Sequence, residues 1–207
     1  FRHNSFFIGD STRDAVNKGV ADYTPVFLSE TPELFRRGLA RVDIALIQTS
    51  LPDEHGYLSL GISVDIVKAA AEQAKIVVAQ VNSFMPRVHG DSFIHIRDID
   101  YLVPYDELLL EYTKGADSEI VMGIGKYVAR LVEDGDTIQV GYGSIPNTVL
   151  ANLRDKRHLG VHTELIGDGI IELMKTGVID NSKKTLNPGK TVTTFCLGNQ
   201  DTYRYLH

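Results

Sequence analysis

Only one cysteine, Cys196, occurs in the 207 residues. A lone cysteine cannot staple a chain, and no Cys/His spacing typical of a metal site surrounds it. The sequence therefore reads as that of a cytoplasmic protein in a reducing setting, with Cys196 a small buried apolar residue. Positive charge is also scarce: 21 Lys and Arg stand against 27 Asp and Glu, giving a formal net charge of -6 and a pI near 5.6. That balance gives no global support to the phosphate attraction behind nucleic-acid or anionic-membrane binding, so neither is expected as a partner. No apolar run reaches the span of a transmembrane helix, no basic-then-apolar signal segment opens the chain, and short-period repeats and low-complexity segments are missing. What is present is ordinary globular composition, 43% hydrophobic and 23% charged, at a length that can bury a sizeable core. Disordered, collagenous and coiled-coil proteins are excluded.

The pattern along the chain alternates strand and helix. Residues 41–51 (RVDIALIQTSL) read as a buried strand ended by Pro52, and residues 63–74 (SVDIVKAAAEQA) as a helix with Ser63 as N-cap. Residues 75–81 (KIVVAQV) follow as another strand, which predicts a βαβ unit with a parallel sheet. After a polar stretch around 112–117, apolar residues at helical spacing predict a helix over 118–133, then a strand over 137–140 and a helix restarting at 147. Residues 159–166 and 190–197 read as strands, with a helix over 170–176 between them. A domain boundary is expected near Lys114. The chain opens at Phe1, without a methionine, inside a strand-like run over 5–9, and stops soon after another at 205–207, so we read it as a piece of a longer protein.

Two features carry chemistry. After the strand over 137–140 come Gly141, Tyr142, Gly143, Ser144, Ile145 and Pro146. Two glycines there let backbone approach a ligand, and the following helix offers free N–H groups to an anion; a plain glycine turn is the alternative. Pro146 replaces the third glycine of a dinucleotide fingerprint and no Walker lysine follows, so neither of those sites is supported. Glu164 lies within an apolar strand pattern, with His162 two residues earlier on the same face. The pair suits acid–base chemistry, or else an exposed polar face of the strand. Gly123 and Gly125 fall inside a helical pattern and suit helix packing. His55, His89, His95 and Asp91 lack metal-site spacing, so no metal is expected, and Ser144 lacks the nucleophile-elbow pattern of a serine hydrolase.

Five words in order, ADYTPVFLSE (21–30), PDEHGYLSLG (52–61), MPRVHG (85–90), GYGSIP (141–146) and HTE (162–164), resemble the acetyl-CoA hydrolase/transferase family across nearly the whole chain. The resemblance implies an α/β fold with open, mostly parallel sheets flanked by helices. It implies two CoA-transferase-like domains, residues 1–113 belonging to the first, truncated at its start, and residues 114–207 to the second, truncated at its end. It also implies Glu164 as catalytic nucleophile, carrying a glutamyl-CoA thioester, with Gly141, Tyr142, Gly143, Ser144 and Ile145 lying along bound CoA. His55, Arg87 and His89 fall in family-like loops and are expected at the substrate pocket or in loop hydrogen bonding. The implied activity is CoA transfer between a short-chain acyl-CoA and a carboxylate such as acetate or 4-hydroxybutyrate, by a homodimer. CoA is then substrate, and no permanently bound cofactor is expected. Acyl-CoA hydrolysis through the same glutamate and a non-catalytic CoA-binding domain are the alternatives. Members of the family are about twice this long and carry a downstream G-G-x-x-D-F word that this chain lacks, so residues 1–207 alone are expected to be inactive or badly impaired.

Overall fold

The computed structural model describes residues 2–112 and 118–207. The expected boundary near Lys114 lies outside the described residues. In chain order the first part runs β1 (Asn4–Ser5), α1 (Asp10–Asn17), β2 (Asp22–Tyr23), α2 (Thr31–Arg36), β3 (Ile44–Thr49), β4 (Tyr57–Ser59), α3 (Val67–Gln73), β5 (Ile76–Val81), β6 (Phe93–His95) and β7 (Tyr101–Pro104). The second part runs α4 (Glu119–Ala129), β8 (Thr137–Ile138), α5 (Ser144–Ala151), β9 (Gly160–Val161), β10 (Leu165–Ile166), α6 (Asp168–Lys175), β11 (Phe195–Cys196) and α7 (Gln200–Leu206). Mixed helices and mostly parallel strands make this an open α/β fold.

β3, β5 and β7 form a parallel sheet in that order, with Leu46 opposite Val78 and Val78 opposite Tyr101. Period-two alternation gives each strand two faces: Ala45, Ile47 and Thr49 are buried on β3, while Ile44 and Leu46 are exposed. The β3–α3–β5 unit predicted from the pattern is present, α3 packing on β3 and burying Ala69 and Ala71. Its helix starts later than spacing suggests. Ser63 does not cap α3, because it forms an antiparallel bridge with Phe195. The N–H groups of Val64 and Asp65 both donate to Thr194 O at 3.2 Å, and Cys196 N–H donates to Ile62 O at 2.9 Å. Local helix propensity yields here to pairing with a segment some 130 residues downstream.

In the second part Ser118 caps α4, its hydroxyl accepting from Val121 N–H at 3.3 Å. Gly125 is buried against α5, where a Cβ would lie 2.7 Å from Thr148 Cβ, whereas Gly123 faces open space. α5 begins at Ser144, three residues before the expected start, since Pro146 falls in its first turn, where no N–H is needed. β8 pairs with β9 and β10 with β11, both in parallel. The strand expected over 159–166 is divided at 162–164, and the one expected over 190–197 shrinks to β11 plus a bridge between Val192 and His162. Side-chain bonds at Thr163 and Glu164, described below, replace the regular ladder there. Two buried clusters result: one holds Ile47, Leu58, Leu60 and Ala79, and the other holds Leu153, Leu159, Val161, Ile166 and Ile170, with Met85 and Leu109 reaching it from the first part. Among the described residues no helix is long and apolar enough to cross a membrane.

Candidate active site

Parallel β8 and β9 put both their carboxyl ends on one side, where open α/β sheets leave crevices. Beyond β8 the chain passes through Val140 into the glycine turn, and beyond β9 through Thr163 to Glu164. Thr163 joins these exits. It is 4% exposed, and its Oγ1 donates to Val140 O at 2.8 Å while accepting from Val140 N–H at 2.9 Å. Gly141 and Glu164, singled out separately in the sequence, therefore each follow one member of a shared hydrogen-bonded pair.

The Glu164 backbone is held just as firmly. Its carbonyl oxygen accepts from Thr193 Oγ1 at 2.9 Å, Thr194 Oγ1 at 3.0 Å, Thr194 N–H at 3.1 Å and Phe195 N–H at 3.3 Å. Its side chain is exposed, and among the described residues no hydrogen bond or ion pair engages the carboxylate. Both carboxylate oxygens are thus uncommitted on a fixed backbone. His162 is exposed as well, on the other side of buried Thr163, as alternation requires; among the described residues no bond joins it to Glu164. Thr163, Thr193 and Thr194 carry no chemistry in a sequence reading, where β-branched residues simply favour strands.

Gly141, Tyr142 and Gly143 line a cleft of about 230 Å³ together with Asn147, Arg154, Leu165 and the start of α6 at Gly167 to Ile170. Gly143 has φ 140°, a backbone conformation that favours glycine, and from it α5 departs without a side-chain cap. The Tyr142 ring lies 5.4 Å from that of Tyr112, which also borders the cleft. Ile145 instead lines an adjoining apolar hollow of about 280 Å³ with Val128, Val132, Ile138 and Leu153, and exposed Ser144 borders neither.

The other three expected residues gather in the first part of the chain. Arg87 bonds Asp53 at 2.6 Å, donates to Tyr57 O at 3.2 Å and lies 4.5 Å from the centroid of the Phe93 ring, which His89 meets edge-on at 6.0 Å. His55 N–H donates to Asp53 Oδ1 at 2.9 Å. The Tyr57 N–H foremost, with the His55 N–H and Arg87, holds the Asp53 carboxyl below its usual range. This cluster orders the loop, and among the described residues no bond links it to Glu164 or the glycine turn. No group of three or more His, Cys, Asp or Glu among the described residues could hold a metal. Cys196 is buried, which together with Asp168 pushes its thiol up to about 12.

The described residues thus combine an open α/β fold with a glycine turn and an unengaged carboxylate at neighbouring strand ends. Residues 1–111 match the model of the acetyl-CoA hydrolase/transferase N-terminal domain, and the chain belongs to the acetyl-CoA hydrolase/transferase family. It is 52% identical over all 207 residues to the 4-hydroxybutyrate coenzyme A transferase of Clostridium kluyveri, covering 48% of that protein. It is 44% identical, over the whole chain and 43% of the relative, to the succinyl-CoA:acetate/propanoyl-CoA:succinate CoA transferase of Fasciola hepatica. Among solved structures, 4-hydroxybutyrate CoA-transferase from Porphyromonas gingivalis matches with TM-score 0.85 at 38% identity, over 100% of this chain and 54% of that one. RipA from Yersinia pestis matches with TM-score 0.92 at 33% identity, over 100% and 49%. The fold is that of the CoA-transferases, and the chain spans about half the length of the curated relatives it matches.

Proposed function

We propose that the full-length protein transfers CoA between a short-chain acyl-CoA and a carboxylate such as acetate or 4-hydroxybutyrate, with Glu164 as nucleophile. The observation that carries this reading is the Glu164 carboxylate, without a partner among the described residues and on a backbone pinned beside the glycine turn. A carboxylate is a feeble nucleophile unless held against an activated carbonyl, and a thioester supplies that activation. One Glu164 carboxylate oxygen attacks the acyl carbon, the C–S bond breaks, and an acyl-glutamyl anhydride and CoA thiolate form. The thiolate then attacks the glutamyl carbonyl, releasing the first acid and leaving a glutamyl-CoA thioester. An incoming carboxylate reverses both steps, and no net proton is consumed.

Holding the reactants together is worth an effective molarity of roughly 10⁵ to 10⁸ M, so grip on CoA remote from the sulfur supports much of the rate. Gly141, Tyr142, Gly143, Ser144 and Ile145 are assigned to that grip in this reading, supported by the cleft that the first three line. Backbone N–H groups at the turn and the start of α5 suit the developing oxyanions. The division at 113/114, supported by the two buried clusters, belongs to the same reading, as do a homodimer, a cytoplasmic setting and CoA as substrate without a resident cofactor. In the full-length protein, Glu164→Gln is expected to abolish transfer while CoA binding by calorimetry persists; near-normal turnover would end the nucleophile assignment.

A further inference from the structure

Between Ile179, bridged to Leu159, and Val192, bridged to His162, the chain leaves the sheet for an irregular excursion. Two side chains of that excursion fasten Val161, the last residue of β9. Asn181, 3% exposed and in the left-handed region at φ 59°, accepts from Val161 N–H at 2.9 Å and donates through Nδ2 to Thr191 Oγ1 at 2.9 Å. Lys184, 6% exposed, donates to Val161 O at 2.8 Å and to Lys190 O at 2.5 Å. Among the described residues no carboxylate pairs with this ammonium, and burial lowers its pKa. Burying an ammonium whose only partners are carbonyls is costly, and an apolar side chain would fill the same volume. Gly160 is shaped around it, since a Cβ there would overlap the Lys184 side chain.

The two segments that Lys184 joins, the end of β9 and the residues leading into β11, are the two that meet at Glu164. Three residues past Val161 lies Glu164, and just past Lys190 and Thr191 lie Thr193 and Thr194, whose hydroxyls hold the Glu164 carbonyl. We infer that Lys184, seconded by Asn181, is a positioning residue for the reaction at Glu164, locking the segment that carries the nucleophile to the segment that grips it. The inference rests on the glutamyl-CoA reading above.

The test uses the full-length protein and its Lys184→Met variant, which keeps most of the side chain's length and removes its donors. With Lys184→Met folded as judged by circular dichroism, kcat for CoA transfer is expected to fall about 10-fold with KM for acyl-CoA little changed, since sub-ångström misplacement acts on the chemical step. Formation of the borohydride-trapped adduct at Glu164 should slow in proportion, and Lys184→Arg, which restores donors, should recover rate. Should Lys184→Met fail to fold, Thr191→Val removes the far end of the Asn181 link, together with a weak bond to Met174 Sδ at 3.7 Å, with an expected fall in kcat of about 3-fold. Unchanged kcat and adduct formation in the folded variant would overturn the inference alone. Absence of any adduct in the unsubstituted protein would overturn the glutamyl reading and the inference with it.

Discussion

Thr163 shows how a residue without reactive chemistry can fix where a neighbouring carboxylate leaves the sheet. Its hydroxyl both donates to and accepts from Val140, so Glu164 and Gly141 leave the sheet in fixed register. Thr163→Val keeps the shape and strips both bonds, leaving the Val140 N–H and C=O without that partner. We expect a loss of about 1–3 kcal/mol in denaturant unfolding and a clear fall in kcat; wild-type values of both would show that the clasp is dispensable. Cys196 tests the same scale from the inert side. Its thiol is raised by burial to about 12, from an ordinary 9.0. A raised acid contributes stability that is fully present below the unfolded pKa and fades as pH rises from about 9 towards 12. Native protein at pH 8 should therefore resist thiol reagents and react only on unfolding, and rapid native labelling would contradict the burial. Glu164 and the glycine turn stood out in the sequence, one as a carboxylate in an apolar strand pattern and the other as paired glycines after a strand, and their expected roles came from the family resemblance. The threonines, Asn181 and Lys184 were not, because their work consists of bonds to carbonyls and amides far off in the chain, which no local pattern records.

At the scale of elements, most helices and strands follow their periodicity, and the departures share one cause. α3 begins late because the residues before it pair with Thr194 to Cys196, and the strand over 159–166 breaks where side chains substitute for the ladder. Tertiary bonds override propensity at both places, and both border Glu164. The α4–α5 contact gives a two-signed check on glycine within a helix. Gly125→Ala would drive a Cβ to 2.7 Å from Thr148 and 2.8 Å from its backbone carbon, so the helices must part. Overpacking of this kind costs about 1–3 kcal/mol, seen as a lowered Tm. Gly123→Ala meets nothing within 4 Å and should stabilise by about 0.5–1 kcal/mol through helix propensity. Equal effects at the two positions would contradict the packing described.

Across the whole molecule one seam between the two parts of the chain sets residues 62–65 against 194–196, while Gln200 Nε2 and the Tyr203 hydroxyl reach Leu109 O and Leu110 O; Thr194 in that seam also holds the Glu164 carbonyl. Glu164 is thus fastened to both parts at once, while among the described residues nothing engages its carboxylate. The α/β class and the βαβ unit were readable from alternating patterns. The seam was not, since it joins residues some 130 positions apart through backbone groups. The claim on which the account turns is covalent chemistry at Glu164. The measurement that tests it is mass spectrometry of the full-length protein after incubation with acyl-CoA and then borohydride, which reduces a glutamyl thioester to an alcohol. The account predicts a loss of about 14 Da on the peptide holding Glu164, as carboxylate becomes alcohol at a covalent nucleophile. An unmodified peptide from protein that still binds CoA would contradict it and favour a binding domain without this chemistry.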